Sequence, residues 1–154
     1  MAPPSTEPVP TAPDDPLSHT ISWDDEPQLI GEARDAARRL LARAGYGPEG
    51  QASKDAQLIV SELVTNAVRF APGPGSLVLD IDPPSETLRI TVRDSSRRRP
   101  RPQHHDRALP GGHGLRLVAL LCTYLETSVT ETGKQVVAHF RLPGAPRPRG
   151  GALA

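Results

Sequence analysis

Proline placement constrains this chain more than any other feature of its sequence. Of 18 prolines in 154 residues, six fall between Pro3 and Pro16 and three between Pro143 and Pro148. None lies between Gln28 and Gly47, between Glu49 and Ala71, or between Gly111 and Leu142. Proline lacks the backbone N–H and breaks helices and central strands, so the proline-free stretches outline the regular structure. Residues 1–17 read as a disordered, acidic, Pro-rich tail with too little apolar surface to offset the entropy of ordering. Residues 143–154 read as a second tail. The stretch 18–142 is long enough for one domain with one core.

Apolar periodicity assigns the elements. His19–Trp23 reads as a short edge strand. A helix over about 27–44 carries Ile30, Ala33, Ala37, Leu40, Leu41 and Ala44 at helical spacing and stops at Gly45. A second helix opens at Ala52 or Ser53 and runs to about Phe70. Its stripe is Ala56, Ile59, Leu63 and Ala67, widened by Val60, Val64 and Val68, and Pro72-Gly73-Pro74-Gly75 ends it. Leu77, Leu79 and Ile81 then alternate with Asp80 and Asp82. After a turn at 83–86, Leu88, Ile90 and Val92 alternate with Arg89, Thr91 and Arg93, which makes a hairpin with one buried face. Residues 95–110 read as a long Arg- and Pro-rich loop, and Leu115–Cys122 as a short third helix. A last hairpin joins Tyr124–Thr130 to Lys134–Leu142. The order (β)ααββ, loop, αββ predicts an α+β fold: a two-layer α/β sandwich, with helices on one face of a mostly antiparallel sheet.

Composition narrows the function classes. The 18 basic and 18 acidic side chains give a formal net charge of zero, and aromatics are 3%. A general polyanion binder and an aromatic platform for stacking bases are thereby disfavoured, and no direct nucleic-acid partner is expected. No apolar run approaches the ~20 residues of a membrane-spanning helix. The N-terminus lacks the basic and apolar regions of a signal peptide. Cys122 stands alone, which rules out an intramolecular disulfide and a Cys-rich metal site. The expected setting is cytoplasmic, with no membrane partner. Charge is nonetheless uneven: the first 33 residues hold seven acids and no Lys or Arg, and Arg93–Arg116 holds seven arginines against two acids.

Three groups of residues could carry chemistry. Glu62, Asn66 and Arg69 are spaced i, i+4, i+7 and fall within about 60° of one another on a helix. Asn66 and Glu62 offer hard oxygens to Mg²⁺ or to its waters, and Arg69 could meet a phosphate; an ordinary solvated face would look the same. Asp94 ends a strand, where a lone carboxylate can accept hydrogen bonds from an exocyclic amine or cap its own turn. Gly111-Gly112-His113-Gly114-Leu115 precedes the third helix. Glycines there let backbone N–H groups approach a phosphate, or simply make a flexible entry loop. The run is neither a Walker motif nor a Rossmann fingerprint. His104, His105 and His113 have no second cluster at metal-ligand spacing, so no zinc site is expected. No Gly-x-Ser-x-Gly elbow occurs.

In this order the motifs resemble the histidine-kinase-like ATPase (GHKL, or Bergerat-fold) superfamily. The nearest likeness is to small single-domain anti-sigma-factor serine kinases of the RsbW/SpoIIAB type, as found in actinobacterial regulators. Ser61-Glu62-Leu63-Val64-Thr65-Asn66-Ala67-Val68-Arg69 looks like the family's N box. Val92-Arg93-Asp94-Ser95-Ser96 looks like its first glycine-box region, and Gly112-His113-Gly114-Leu115-Arg116-Leu117-Val118 like its second. Gly133-Lys134-Gln135-Val136-Val137 fits its last hairpin, and the likeness covers about 19–142.

The resemblance implies ATP and Mg²⁺ as cofactors. Asn66 would coordinate the metal, and Glu62 would be the catalytic base or would position the acceptor. Asp94 would bind the adenine amine. Gly112, Gly114 and Leu115 would wrap the phosphates, with Arg69 nearby, under a lid formed by 95–110. A lid with few apolar anchors is expected to be mobile without ligand. The implied activity is serine/threonine protein kinase. The implied partners are a sigma factor and an anti-sigma antagonist protein that carries the acceptor serine, with homodimerisation open. Three features depart from the family pattern: Phe70 where a small basic or His residue is common, Ser95-Ser96 after Asp94, and the basic run Arg97-Arg98-Arg99. They bear on kinase turnover more than on fold or nucleotide. The competing readings are a nucleotide-binding regulatory module without turnover, and an interaction domain that uses its Arg-rich loop.

Overall fold

The computed structural model describes residues 17–24, 28–82, 86–96 and 110–143, with 110–115 described by their backbone. The elements are β1 (Leu17–Trp23), α1 (Leu29–Arg43), α2 (Gln51–Phe70), β2 (Gly75–Asp82), β3 (Thr87–Asp94), α3 (Pro110–Leu121), β4 (Tyr124–Val129) and β5 (Lys134–Arg141). The five strands form one sheet in the order β1-β2-β3-β5-β4, and every neighbouring pair is antiparallel. The expected 1–16 part of the N-terminal tail, the turn residues 83–85, the 97–109 part of the lid and residues 144–154 lie outside the described residues. Among the described residues no helix is long and apolar enough to cross a membrane.

Strict alternation gives the sheet one apolar face. Leu77, Leu79 and Ile81 of β2, Leu88, Ile90 and Val92 of β3, and Val136, Ala138 and Phe140 of β5 are all buried on it. The helices cover that face: α1 lies against α2 and β1, and α2 against β3 and α3. From α1 come Leu29, Ala33, Ala36, Ala37, Leu40 and Leu41; from α2 come Ala56, Ile59, Val60, Leu63, Val64 and Ala67. Burying one such Leu or Ile side chain contributes about 1.5–3 kcal/mol. On the other face polar pairs run between strands, among them Arg89 with Asp80 (2.9 Å) and Arg93 with Gln135 (2.7 Å). This is the expected two-layer α/β sandwich.

Local differences have simple causes. Val68 is 39% exposed rather than part of the core stripe. Each step of four residues advances about 40° round a helix, so the row Val60, Val64, Val68 drifts, and its last member leaves the buried face. The third helix begins at Pro110, five residues before Leu115. Proline's fixed φ suits a first helical position. Gly112 and Gly114 therefore lie inside the opening turns of α3, not in a loop ahead of it. At the other end of α2, Gly73 (φ +118°) takes the left-handed conformation that turns the chain between two prolines. Ser95 Oγ donates to the Pro74 carbonyl at 2.7 Å and ties that turn to the end of β3.

Candidate nucleotide site

The site grows from the apolar rows of two neighbouring strands. Leu88, Ile90 and Val92 are followed two residues on by Asp94. Val136, Ala138 and Phe140 are preceded two residues back by Lys134. Both charged residues thus sit on the buried face, and the register places them directly opposite each other. They are 8% and 6% exposed. Lys134 Nζ donates to Asp94 Oδ2 at 2.6 Å, and the Ser96 backbone N–H donates to Asp94 Oδ1 at 2.9 Å. Stripping water from a lone charge is costly, and the pairing compensates both groups. Asp94 thus caps its own turn and also faces inward.

Gly133 permits this closeness. A Cβ there would lie 1.8 Å from the Asp94 carbonyl oxygen. The turn entering β5 is therefore pressed against the end of β3. Its own closure is made by Thr130 N–H donating to the Gly133 carbonyl at 2.8 Å.

A cavity of about 40 Å³ lies between α2 and this end of the sheet. Leu63, Ala67, Val92 and Val136 form its apolar walls, Asn66, Asp94 and Lys134 supply its polar groups, and Phe70 completes the lining. Phe70 is 54% exposed, so the ring is free to yield. Asn66 from the second helix and Asp94 from the sheet meet here.

The other two helix residues do not line this cavity. Glu62 is half-buried and Arg69 exposed. Helix geometry explains the split: from Asn66, Leu63 and Phe70 are displaced by roughly 40–60° toward the sheet, whereas Glu62 and Arg69 are displaced by similar angles the other way. The stripe is real, but the cavity takes only its edge. Gly112, Gly114 and Leu115 are fixed here as helical backbone alone. Among the described residues no group of three or more His, Cys, Asp or Glu could hold a metal ion. A metal held through Asn66 would need its remaining oxygens from a bound phosphate and from water. Cys122, following α3, has its thiol pushed up to about 11 by burial, which keeps it protonated and unreactive at neutral pH.

A larger cavity, about 480 Å³, lies between β1 and α1. Within its polar lining Asp35 pairs with Arg39 at 3.0 Å. None of the motif residues reaches it.

A model of the histidine kinase-like ATPase domain matches residues 24–140. The chain belongs to that family. No curated protein matches it. Similar solved structures include the histidine kinase domain of the Erythrobacter litoralis EL346 blue-light activated histidine kinase. It shares 24% identity, with a TM-score of 0.47, over 73% of this chain and 59% of that one. The present chain thus spans less than two thirds of that domain.

Sequence reasoning missed Lys134 as a site residue. A signal was there: a charged residue that continues an alternating apolar row by two positions is a buried charge in need of a partner.

Proposed function

We propose that this domain binds ATP with Mg²⁺ and acts as a regulatory protein kinase on a partner protein. The observation that carries the reading is a buried carboxylate, Asp94, at the polar end of an apolar slot that also receives Asn66. An adenine ring suits such a slot: flat apolar faces against Leu63, Ala67, Val92 and Val136, and an amine for Asp94 to accept from. The cavity holds little more than a few waters, so ring entry needs Phe70 to move aside. Asn66 would hold the metal, and Arg69 and the Gly112–Leu115 opening of α3 would meet the phosphates. Bound Mg²⁺ supplies charge neutralisation at the phosphates, and phosphoryl transfer otherwise needs mainly positioning.

Glu62 serves as the base or positions the incoming hydroxyl. It stands one helical turn from Asn66, on the flank of α2 turned away from the base slot. The partners are a sigma factor, sequestered, and an antagonist protein, phosphorylated on serine. The resemblance of the N box and glycine-box segments to anti-sigma-factor kinases supports this.

The test is Mg-ATP binding by calorimetry and thermal shift. At 100 times its dissociation constant the ligand stabilises the native state by about 2.7 kcal/mol. Asn66→Ala should abolish that shift in the presence of Mg²⁺, and Asp94→Asn should weaken binding about tenfold or more. Glu62→Gln should keep binding and lose labelled phosphate on a co-purified partner. Binding without any transfer in the wild type would make the domain a nucleotide-dependent sequestering module. A wild type with no nucleotide-dependent shift would overturn the proposal.

A further inference from the structure

The Asp94–Lys134 pair has a direction. Asp94 only accepts hydrogen bonds and Lys134 only donates, and the two heads stand 2.6 Å apart on the wall of the cavity. Among the described residues Lys134 Nζ has one partner, so two of its three N–H donors remain. Asp94 takes one donor on each oxygen and keeps acceptor capacity on both. The side chains of Lys134 and Asp94 are 8% and 3% exposed, so bulk water does not serve them. Waters in the cavity can take up the spare capacity, and a ligand edge that displaces them must carry a donor and an acceptor side by side.

The 6-amino edge of a purine is such an edge: the exocyclic amine donates, and the adjacent ring nitrogen N1 accepts. Two neighbouring ring-edge atoms need partners that themselves stand at about hydrogen-bond separation, as these two do. A 6-oxo purine reverses the order at both atoms, setting its oxygen against the carboxylate and its N1–H against the ammonium.

We infer that Lys134 is a specificity-determining residue of this site, donating to N1 of a 6-aminopurine while Asp94 accepts from the amine. The inference rests on the ATP reading above and adds a second contact to the base. Charge makes the contact strong, and a base that fills the slot leaves no room for water to replace it when the acceptor is missing.

The test uses the full chain, ATP, and 1-deaza-ATP, in which N1 is replaced by C–H and the amine is kept. The wild type should bind 1-deaza-ATP about tenfold or more weakly than ATP. Lys134→Met should bind the two alike, with circular dichroism confirming its fold. If that variant does not fold, the wild-type comparison decides alone. Equal wild-type affinities for the two nucleotides would overturn the inference and leave the ATP reading standing. Discrimination that persists in a folded Lys134→Met would overturn it too, because another donor then reads N1. Binding of neither nucleotide would remove the ATP reading and this contact with it.

Discussion

A side chain at position 133 has nowhere to go. Its Cβ would fall 1.8 Å from the Asp94 carbonyl oxygen and within 2.9 Å of the Ser95 Cα, and both obstacles are backbone. The φ of Gly133 is not left-handed, so the demand is for space alone. Gly133→Ala should therefore cost about 1–3 kcal/mol of stability, the usual cost of forcing extra volume into a packed site, read as a lower urea midpoint. Gly47→Ala, at a position with nothing within 4 Å, is the control and should stay close to wild type. An unchanged midpoint for Gly133→Ala would show that β5 can retreat from β3. The same neighbourhood marks where residue-level reading stopped. Asp94 stood out because it ends a strand, but its partner lies forty positions away, and only the β3–β5 register puts them face to face.

Elements were easier to read than residues because their signal is repeated. Six apolar residues of β2 and β3 alternate without a break, and each is buried at 3% or less. The two long helices likewise follow their spacing, with ends set by Gly45 and by the Pro72–Gly75 run. The start of α3 was not readable. Three glycines among five residues argue against a helix, since each costs about 1 kcal/mol relative to Ala; the competing signal, Pro110 at a first turn, is weaker. Intrinsic propensity also leaves room for improvement in α1. Gly31 is helical and exposed, and an added Cβ there meets nothing within 4 Å. Gly31→Ala should raise stability by about 0.5–1 kcal/mol in a denaturant melt. A loss instead would reveal a neighbour at that surface.

At the scale of the molecule, the sheet is antiparallel throughout, but its order is not the chain order: β5 inserts between β3 and β4. The opposite edge is β1, held by β2 and by Trp23, whose ring lies so near Gly75 that a Cβ there would come within 2.4 Å of it. Trp23 is 6% exposed. A chain beginning at residue 17 should therefore melt like the whole, whereas one beginning after Trp23 should lose about 3–5 kcal/mol, the cost of emptying a buried Trp site. Equal losses from both would mean that residues 1–16 also contribute to the fold.

The late insertion of β5 has a consequence for biosynthesis. When Asp94 leaves the ribosome its counter-ion follows forty residues behind in the chain, and roughly 2–8 s pass at ordinary elongation rates before Lys134 emerges as well. Through that interval β3 carries a bare hydrogen-bonding edge and an unneutralised carboxylate on its apolar face, the kind of surface to which other nascent chains and chaperones adhere. A polypeptide stalled before codon 134 would have both long helices and the first hairpin, and still no pocket.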